Sequence, residues 1–493
     1  MLEGRINHSG TLLPGGKLLV AGGTNTVPEL NPDENAARGS AARRIGKGIT
    51  PSRRKMLLVA APSADLVQLP ALTLARLIRE RQVTAVEVMQ AHLDRIAERN
   101  PTINAVVAMA ADALDQAAAR DRAQGEDQPV GPLHGVPFTA KDIIETADLP
   151  TTLGMPEFAD NRPNRDATIV RRMREAGGIL IGKTNCPPGG GGGQTDNDLH
   201  GRTVNPYDLT RTPAGSSGGE AAAIASGMSA CGLGSDSGGS LRMPAHFCGI
   251  ATLKPTAGRI PITGVLDDEG SLGPMSDPRT QPGPMARSVN DLAAILTILA
   301  GPDGRDSGAM PVPLGDPAGI ELRGLRVNLH IVDGDSAPEP DIERAVREAA
   351  RALAEAGALV TESALPAGGQ ELTDRVWKSY GDAVSASELY RILRDWDRYR
   401  STMLEFLETT DLILSPVAPH GALVPDAPVS WRYTAPHSLT GWPCAVVRAG
   451  SSGVLPVGVQ VVAGPWQDHV ALAVAARIED ALGGWQAPRW PPG

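Results

Sequence analysis

The sequence predicts an α/β protein, and three observations carry that prediction. Short apolar segments near 135–140 and 178–182 are separated by a stretch of helical period, about 166–176, and residues 320–365 read again as strand, helix (about 340–356) and strand. No run approaches the roughly 18 consecutive apolar residues that a membrane-spanning helix needs. No internal repeat or linker divides 56–493, so this span reads as one large domain in spite of the 493-residue length.

Taken in order, residues 1–55 stand apart: polar, punctuated by Gly, Pro and Asn, and ending in a basic stretch from Arg43 to Lys55. Ser9–Gly23 looks like part of a kelch-type propeller repeat, but one such piece cannot form a four-stranded blade. The segment reads as an appended or misassigned start with Met56 as the beginning, or as an ordinary flexible leader. The apolar part of Arg53–Ala61 is too short and too internal for a signal peptide. Helical period appears from residue 71. Thr84-Ala-Val-Glu87 is a capping-box pattern, with Val86, Met89, Leu93 and Ile96 on one face. An Ala-rich helix is expected over about 105–123, a helix from Glu220 to about Met228, and another from Val289 to Leu299. Residues 370–410 read as a helical, aromatic-bearing insert, and Asp411–Pro416 and Leu455–Val462 as buried strands.

Composition narrows the function. Lys plus Arg is 46 against 56 for Asp plus Glu, a net charge of −10, which argues against nucleic-acid or anionic-membrane partners. Four cysteines (Cys186, Cys231, Cys248, Cys444) lack paired or metal-type spacing, so neither a disulfide framework nor a zinc site is expected and a cytoplasmic location is the default. Aromatics are only 3%, and all seven tryptophans lie at or beyond Trp377, so the second half must supply most of any aromatic substrate wall.

Two tempting motifs are discounted. Gly177–Thr184 satisfies the phosphate-loop pattern, but Ile179-Leu180-Ile181 reads as a buried strand and Pro187-Pro188 follows where a helix should open. Gly215-Ser216-Ser217-Gly218-Gly219 satisfies the nucleophile elbow of α/β-hydrolases, yet the preceding Asp208–Ala214 is polar and contains Pro213. His246, His330, His420, His437 and His469 have no distinctive setting as partners.

What remains is Lys141 at a strand end and two Gly/Ser loops, Ala214–Glu220 and Gly234–Pro244. A serine nucleophile needs a base, and lysine serves if burial holds it neutral against an ordinary pKa of about 10.4. Glycines around Ser240 let backbone N–H groups converge on one point, as an oxyanion hole requires.

Together these residues resemble the amidase signature family. The core match runs over 205–255, through Gly215-Ser-Ser-Gly-Gly219, Gly234-Ser-Asp-Ser-Gly-Gly-Ser-Leu-Arg242 and Phe247–Pro255. Outlying matches are Gly135–Asp142, Gly182–Asn185, Gly283–Arg287 and Leu455–Gln460, and the resemblance covers about 70–493. It implies a single large domain whose mixed, twisted central β-sheet is covered by helices on both faces. It implies a Ser–cisSer–Lys triad: Ser240 as nucleophile, Ser216 as bridging serine after a cis Gly215–Ser216 peptide, Lys141 as base. Backbone N–H groups of Ser237, Gly238, Gly239 and Ser240 would form the oxyanion hole, with Ser217, Asp236 and Arg242 in support. No metal and no cofactor is implied.

The expected function is hydrolysis of a small-molecule amide, aryl amide or carbamate through an acyl-enzyme, by a monomer or homodimer. One alternative is the glutaminase-type subunit of a tRNA-dependent amidotransferase. Such subunits commonly carry Arg-Gln-Pro-Ala and Leu-Asp-Gln-Ile-Gly-Pro where this chain has Arg242-Met-Pro-Ala245 and Arg279-Thr-Gln-Pro-Gly-Pro284. The other alternative is an α/β-hydrolase esterase using Ser217. Among the poorly matched regions, the run of glycines before Gln194 is expected to edge the site, with Gly191, Gly192, Gly193 and Gln194 as substrate-wall candidates.

Overall fold

Eleven strands form one mixed sheet: β1 (Val106–Met109), β2 (Pro137–Lys141), β3 (Ile179–Thr184), β4 (Cys231–Asp236), β5 (Ala251–Lys254), β6 (Gln281–Ala286), β7 (Arg326–Leu329), β8 (Leu359–Glu362), β9 (Leu412–Pro416), β10 (Cys444–Ser452) and β11 (Leu455–Ala463). Their order is β8-β7-β9-β11-β10-β5-β6-β4-β2-β3-β1. Strand β2 runs parallel to both β3 and β4, β7 parallel to β8 and β9, and the remaining pairs are antiparallel. The computed structural model describes Thr11–Leu12, Leu18–Leu19 and residues 66–490 except 127, 268–269, 272–278, 335–336 and 382. The chain divides into two units, Met1–Leu57 and Leu58–Gly493. In the first, Thr11–Leu12 pairs antiparallel with Leu18–Leu19, and the rest of the expected 1–55 extension lies outside the described residues.

In the second unit, β2, β3, β4, β6 and β9 are buried at every residue, which requires cover on both faces. Twelve helices among the described residues provide it: α1 (Ala71–Arg79), α2 (Ala85–Ile103), α3 (Ala113–Gly125), α4 (Thr168–Glu175), α5 (Gly218–Ala225), α6 (Arg242–Cys248), α7 (Val289–Leu299), α8 (Pro340–Glu355), α9 (Gly369–Gly381), α10 (Ala386–Phe406), α11 (Ala435–Thr440) and α12 (Asp468–Leu482). No helix among the described residues is long and apolar enough to cross a membrane.

Local sequence grammar explains the elements that were legible. Thr84 caps α2 through the reciprocal box with Glu87, as its spacing predicts, although the buried face is centred on Val88, Met89, His92 and Ile96 while Val86 and Leu93 are only half-buried. Helix α7 spans the expected residues, and Gly177–Thr184 contributes the buried strand β3 rather than a phosphate loop.

One reading needs correction, and some elements were not anticipated. The helix expected over 105–123 is strand β1 followed by α3. Asn104 adopts the left-handed conformation (φ 54°) and ends α2, and the Asn100 side chain accepts from the N–H groups of Ala105 and Val106, so those donors need no helix. Strand β6 escapes sequence reading because it holds Pro282 and Pro284. Its β5 neighbour pairs only with Met285 and Ala286, so the prolines meet a ladder on one side alone. Strand β10, the hairpin partner of β11, was also not anticipated.

Candidate active site

Lys141 is the last residue of β2, opposite Thr184 of β3, and its side chain is completely buried. Its Nζ donates to Ser216 Oγ at 2.5 Å and to Ser235 Oγ at 3.0 Å. Burial pushes the Lys141 pKa down to about 8, against smaller opposing pulls from Cys186 and Asp236. A neutral amine in contact with a hydroxyl can take its proton.

Ser216 follows a cis Gly215–Ser216 peptide. Close packing dictates glycine at 215, because a Cβ there would fall 2.9 Å from both Gln194 N and Gly192 O. The chain then enters α5, where the Ser217 N–H donates to Ser240 O at 3.2 Å and joins the two serine loops. Ser217 Oγ donates to Ser235 O at 3.2 Å, and the side chain is completely buried. The segment before it is not a strand, so the strand–turn–helix context of a nucleophile elbow is missing.

Asp236 ends β4, and Arg242 opens α6. They form a buried ion pair at 2.9 Å. The Arg242 guanidinium also donates to Thr434 O, Gln460 Oε1 and Ser438 Oγ at 2.7–2.8 Å, and Asp236 Oδ2 accepts the N–H of Leu241 at 3.1 Å. Burial would raise the Asp236 carboxyl, but Arg242 outweighs it and holds it below the usual carboxylate range. The turn carrying Ser240 is thereby pinned at both ends. Among the described residues, no hydrogen bond engages the N–H groups of Ser237, Gly238, Gly239 or Ser240.

Above this turn lies a cavity of about 550 Å³. Ser235, Ser237, Gly238 and Ser240 line it, whereas Ser216 and Lys141 do not and are buried. Of the glycine run, Gly191 and Gly192 face the cavity, as do Gly189 and Gly190. Gly193 and Gln194 do not: Gly193 packs on Val429 and Trp431, and Gln194 bonds Ala427 O and the Asp426 N–H. Arg279, Thr280, Asp374, Trp377, Tyr380 and Trp431 also line the cavity, together with Ile143 and Leu266. Sequence reasoning placed the aromatic wall in the second half of the chain, where the tryptophans lie, without naming these residues, and it did not assign Ser235 to the site, although Ser235 stands inside the Gly234–Arg242 motif. A smaller cavity of about 280 Å³, touched by His330, Gln370 and His437, contains no triad candidate.

Most of the chain is similar to known proteins. The Amidase family profile matches residues 87–390 and 371–472. A glutamyl-tRNA(Gln) amidotransferase chain from Chloroflexus aurantiacus is 32% identical over 458 residues, covering 80% of this chain and 92% of that protein. The acylamidase of Rhodococcus erythropolis is 32% identical over 469 residues, covering 84% and 96%. A bacterial aryl acylamidase of the amidase signature family superposes with a TM-score of 0.75 at 26% identity, over 84% of this chain and 96% of that one. With the sheet, the buried lysine and the serine loops all in the matched span, the chain belongs to the amidase signature family of hydrolases, enzymes that act on amides.

Proposed function

We propose that this protein is a stand-alone amidase that cleaves the C–N bond of small-molecule carboxamides, aryl amides included, with Ser240 as the acylated residue. The observation that carries the reading is the buried 2.5 Å contact between Lys141 Nζ and Ser216 Oγ, next to Ser235, which lines the same cavity as Ser240. Neutral Lys141 accepts the Ser216 proton while Ser216 accepts the proton of Ser240, whose Oγ bonds to the substrate carbonyl carbon. The N–H groups of Ser237, Gly238, Gly239 and Ser240 hold the developing oxyanion. The relay then returns one proton to the leaving nitrogen as the C–N bond breaks, and water releases the acid from Ser240 by the same path. Ser235 is a second acceptor for Lys141 and fixes the amine between two hydroxyls. A carbamate presents the same carbonyl to the same groups, so urethane cleavage follows the same route.

A substrate panel of a short aliphatic amide, an anilide, an aryl carbamate and an ester, with mass-spectrometric location of the acyl group, tests the proposal. An acyl adduct on Ser240 is expected, and an adduct on Ser217 would reinstate the elbow reading. The 32% identity with an amidotransferase chain favours a second reading, glutamine hydrolysis within a tRNA-dependent complex. Met243 and the 279–284 segment depart from that pattern. Glutaminase activity measured with and without tRNA and partner proteins separates the two.

A further inference from the structure

Two tryptophans press on successive glycines of the turn that ends in Ser240. A Cβ built on Gly238 would fall 2.8 Å from Trp377 Cζ2, and one on Gly239 would fall 2.5 Å from Thr434 Oγ1 and 3.1 Å from Trp431 Cε3. Both indoles line the cavity that holds Ser240, in a chain with only seven tryptophans. Trp377 and Tyr380 sit on α9 and are 43% and 50% exposed. Buried Arg279, from the segment before β6, lies over both rings, at 4.2 Å from the Trp377 centroid and 4.4 Å from that of Tyr380. Cation–π attraction of this geometry ties α9 to the segment that leads into the central strand β6 and sets the plane of the indole. Along another part of the wall, Gly189–Gly192 present backbone without side chains and leave width for a substituent.

We infer that Trp377 and Trp431 form a slot for a planar aromatic group attached directly to the scissile amide, and that Arg279 is a positioning residue holding Trp377 in that slot. The inference rests on the proposed acylation of Ser240. A flat ring stacks offset or edge-on against an indole, whereas a puckered ring of equal carbon number cannot approach both faces.

The test compares kcat/KM for benzamide against cyclohexanecarboxamide, which vary the acyl side, and acetanilide against N-cyclohexylacetamide, which vary the leaving side. Each pair is measured in the wild type, Trp377→Leu, Trp431→Leu, Arg279→Met and Arg279→Lys. A ratio within one pair cancels any loss of folded enzyme. Fluorophosphonate labelling of Ser240 runs alongside. The wild type should prefer the planar member of at least one pair by about tenfold or more. Trp377→Leu, Trp431→Leu and Arg279→Met should bring that ratio towards one, with Arg279→Lys keeping more of it than Arg279→Met. A wild-type ratio near one in both pairs, turnover of neither pair, or a ratio that survives Trp377→Leu overturns the slot. A wild type that prefers planar amides but is never labelled at Ser240 overturns the acylation reading instead.

Discussion

Lys141 Nζ lies 2.5 Å from Ser216 Oγ, and neither side chain is in contact with solvent. Burial serves two ends here. It depresses the affinity of the amine for a proton, and it leaves the Ser216 and Ser235 hydroxyls as the acceptors of the ammonium form. This contact and the buried groups around it have measurable consequences.

Replacing Ser240 by Ala should lower amide turnover by at least about a thousandfold, and Lys141→Ala should be nearly as severe. In the proposed relay the three residues act as a unit, so Lys141→Ala/Ser240→Ala should be little worse than either single change. Steady-state kinetics of the three variants check this. Substantial turnover in Ser240→Ala together with its loss in Ser217→Ala would contradict the assignment.

The rate should rise with pH through a midpoint near 8. As the proposed base, Lys141 works only when neutral, and protonation below about 8 removes it, so kcat/KM should fall roughly tenfold per pH unit on the acid side and level off above the midpoint. A profile limited by a group near pH 6.5 that disappears on mutating a single histidine would point to a different base.

Arg242→Ala should cost about 3–5 kcal/mol of stability, because it strands the buried Asp236 carboxylate and removes donors to Thr434, Ser438 and Gln460. Denaturant unfolding measures the loss. Labelling of Ser240 should slow in the surviving folded protein, since the turn depends on Asp236 at one end and Arg242 at the other. A cost below about 1 kcal/mol would be the value of a solvent-exposed pair and would deny the ion pair a structural role.

Glu220 is completely buried and accepts hydrogen bonds from the hydroxyls of Thr139 and Thr184. Burial pushes its carboxyl up to about 8, outweighing those two bonds. The native state therefore keeps a proton that the unfolded chain, with a value near 4.5, releases as pH rises. Between those two values, raising the pH removes stability from the wild type, by at most about 1.4 kcal/mol per unit. Glu220→Gln has no such titration, so the difference in Tm between variant and wild type should move in the variant's favour from pH 5 to pH 8. A difference independent of pH would mean that Glu220 is ionised throughout.

Some features of this protein are encoded in short stretches of chain and could be read there. The Thr84–Glu87 cap, helix α7 and the 205–255 motif were legible because capping, periodicity and tight Gly/Ser turns depend on neighbours a few residues away. Lys141, Ser216 and Ser240 could be put forward as site candidates because the family pattern places each in a fixed local context. The packing of distant segments decided the rest. It made Ser235 a second partner for Lys141, turned Gln194 away from the cavity, and chose a strand at Val106–Met109. It also brought Arg279, Trp377 and Trp431 to one wall. The physical reason is that a cavity wall forms where helices and loops far apart in the chain pack against the same sheet. The orientation of each side chain is then set by contacts that no local pattern contains.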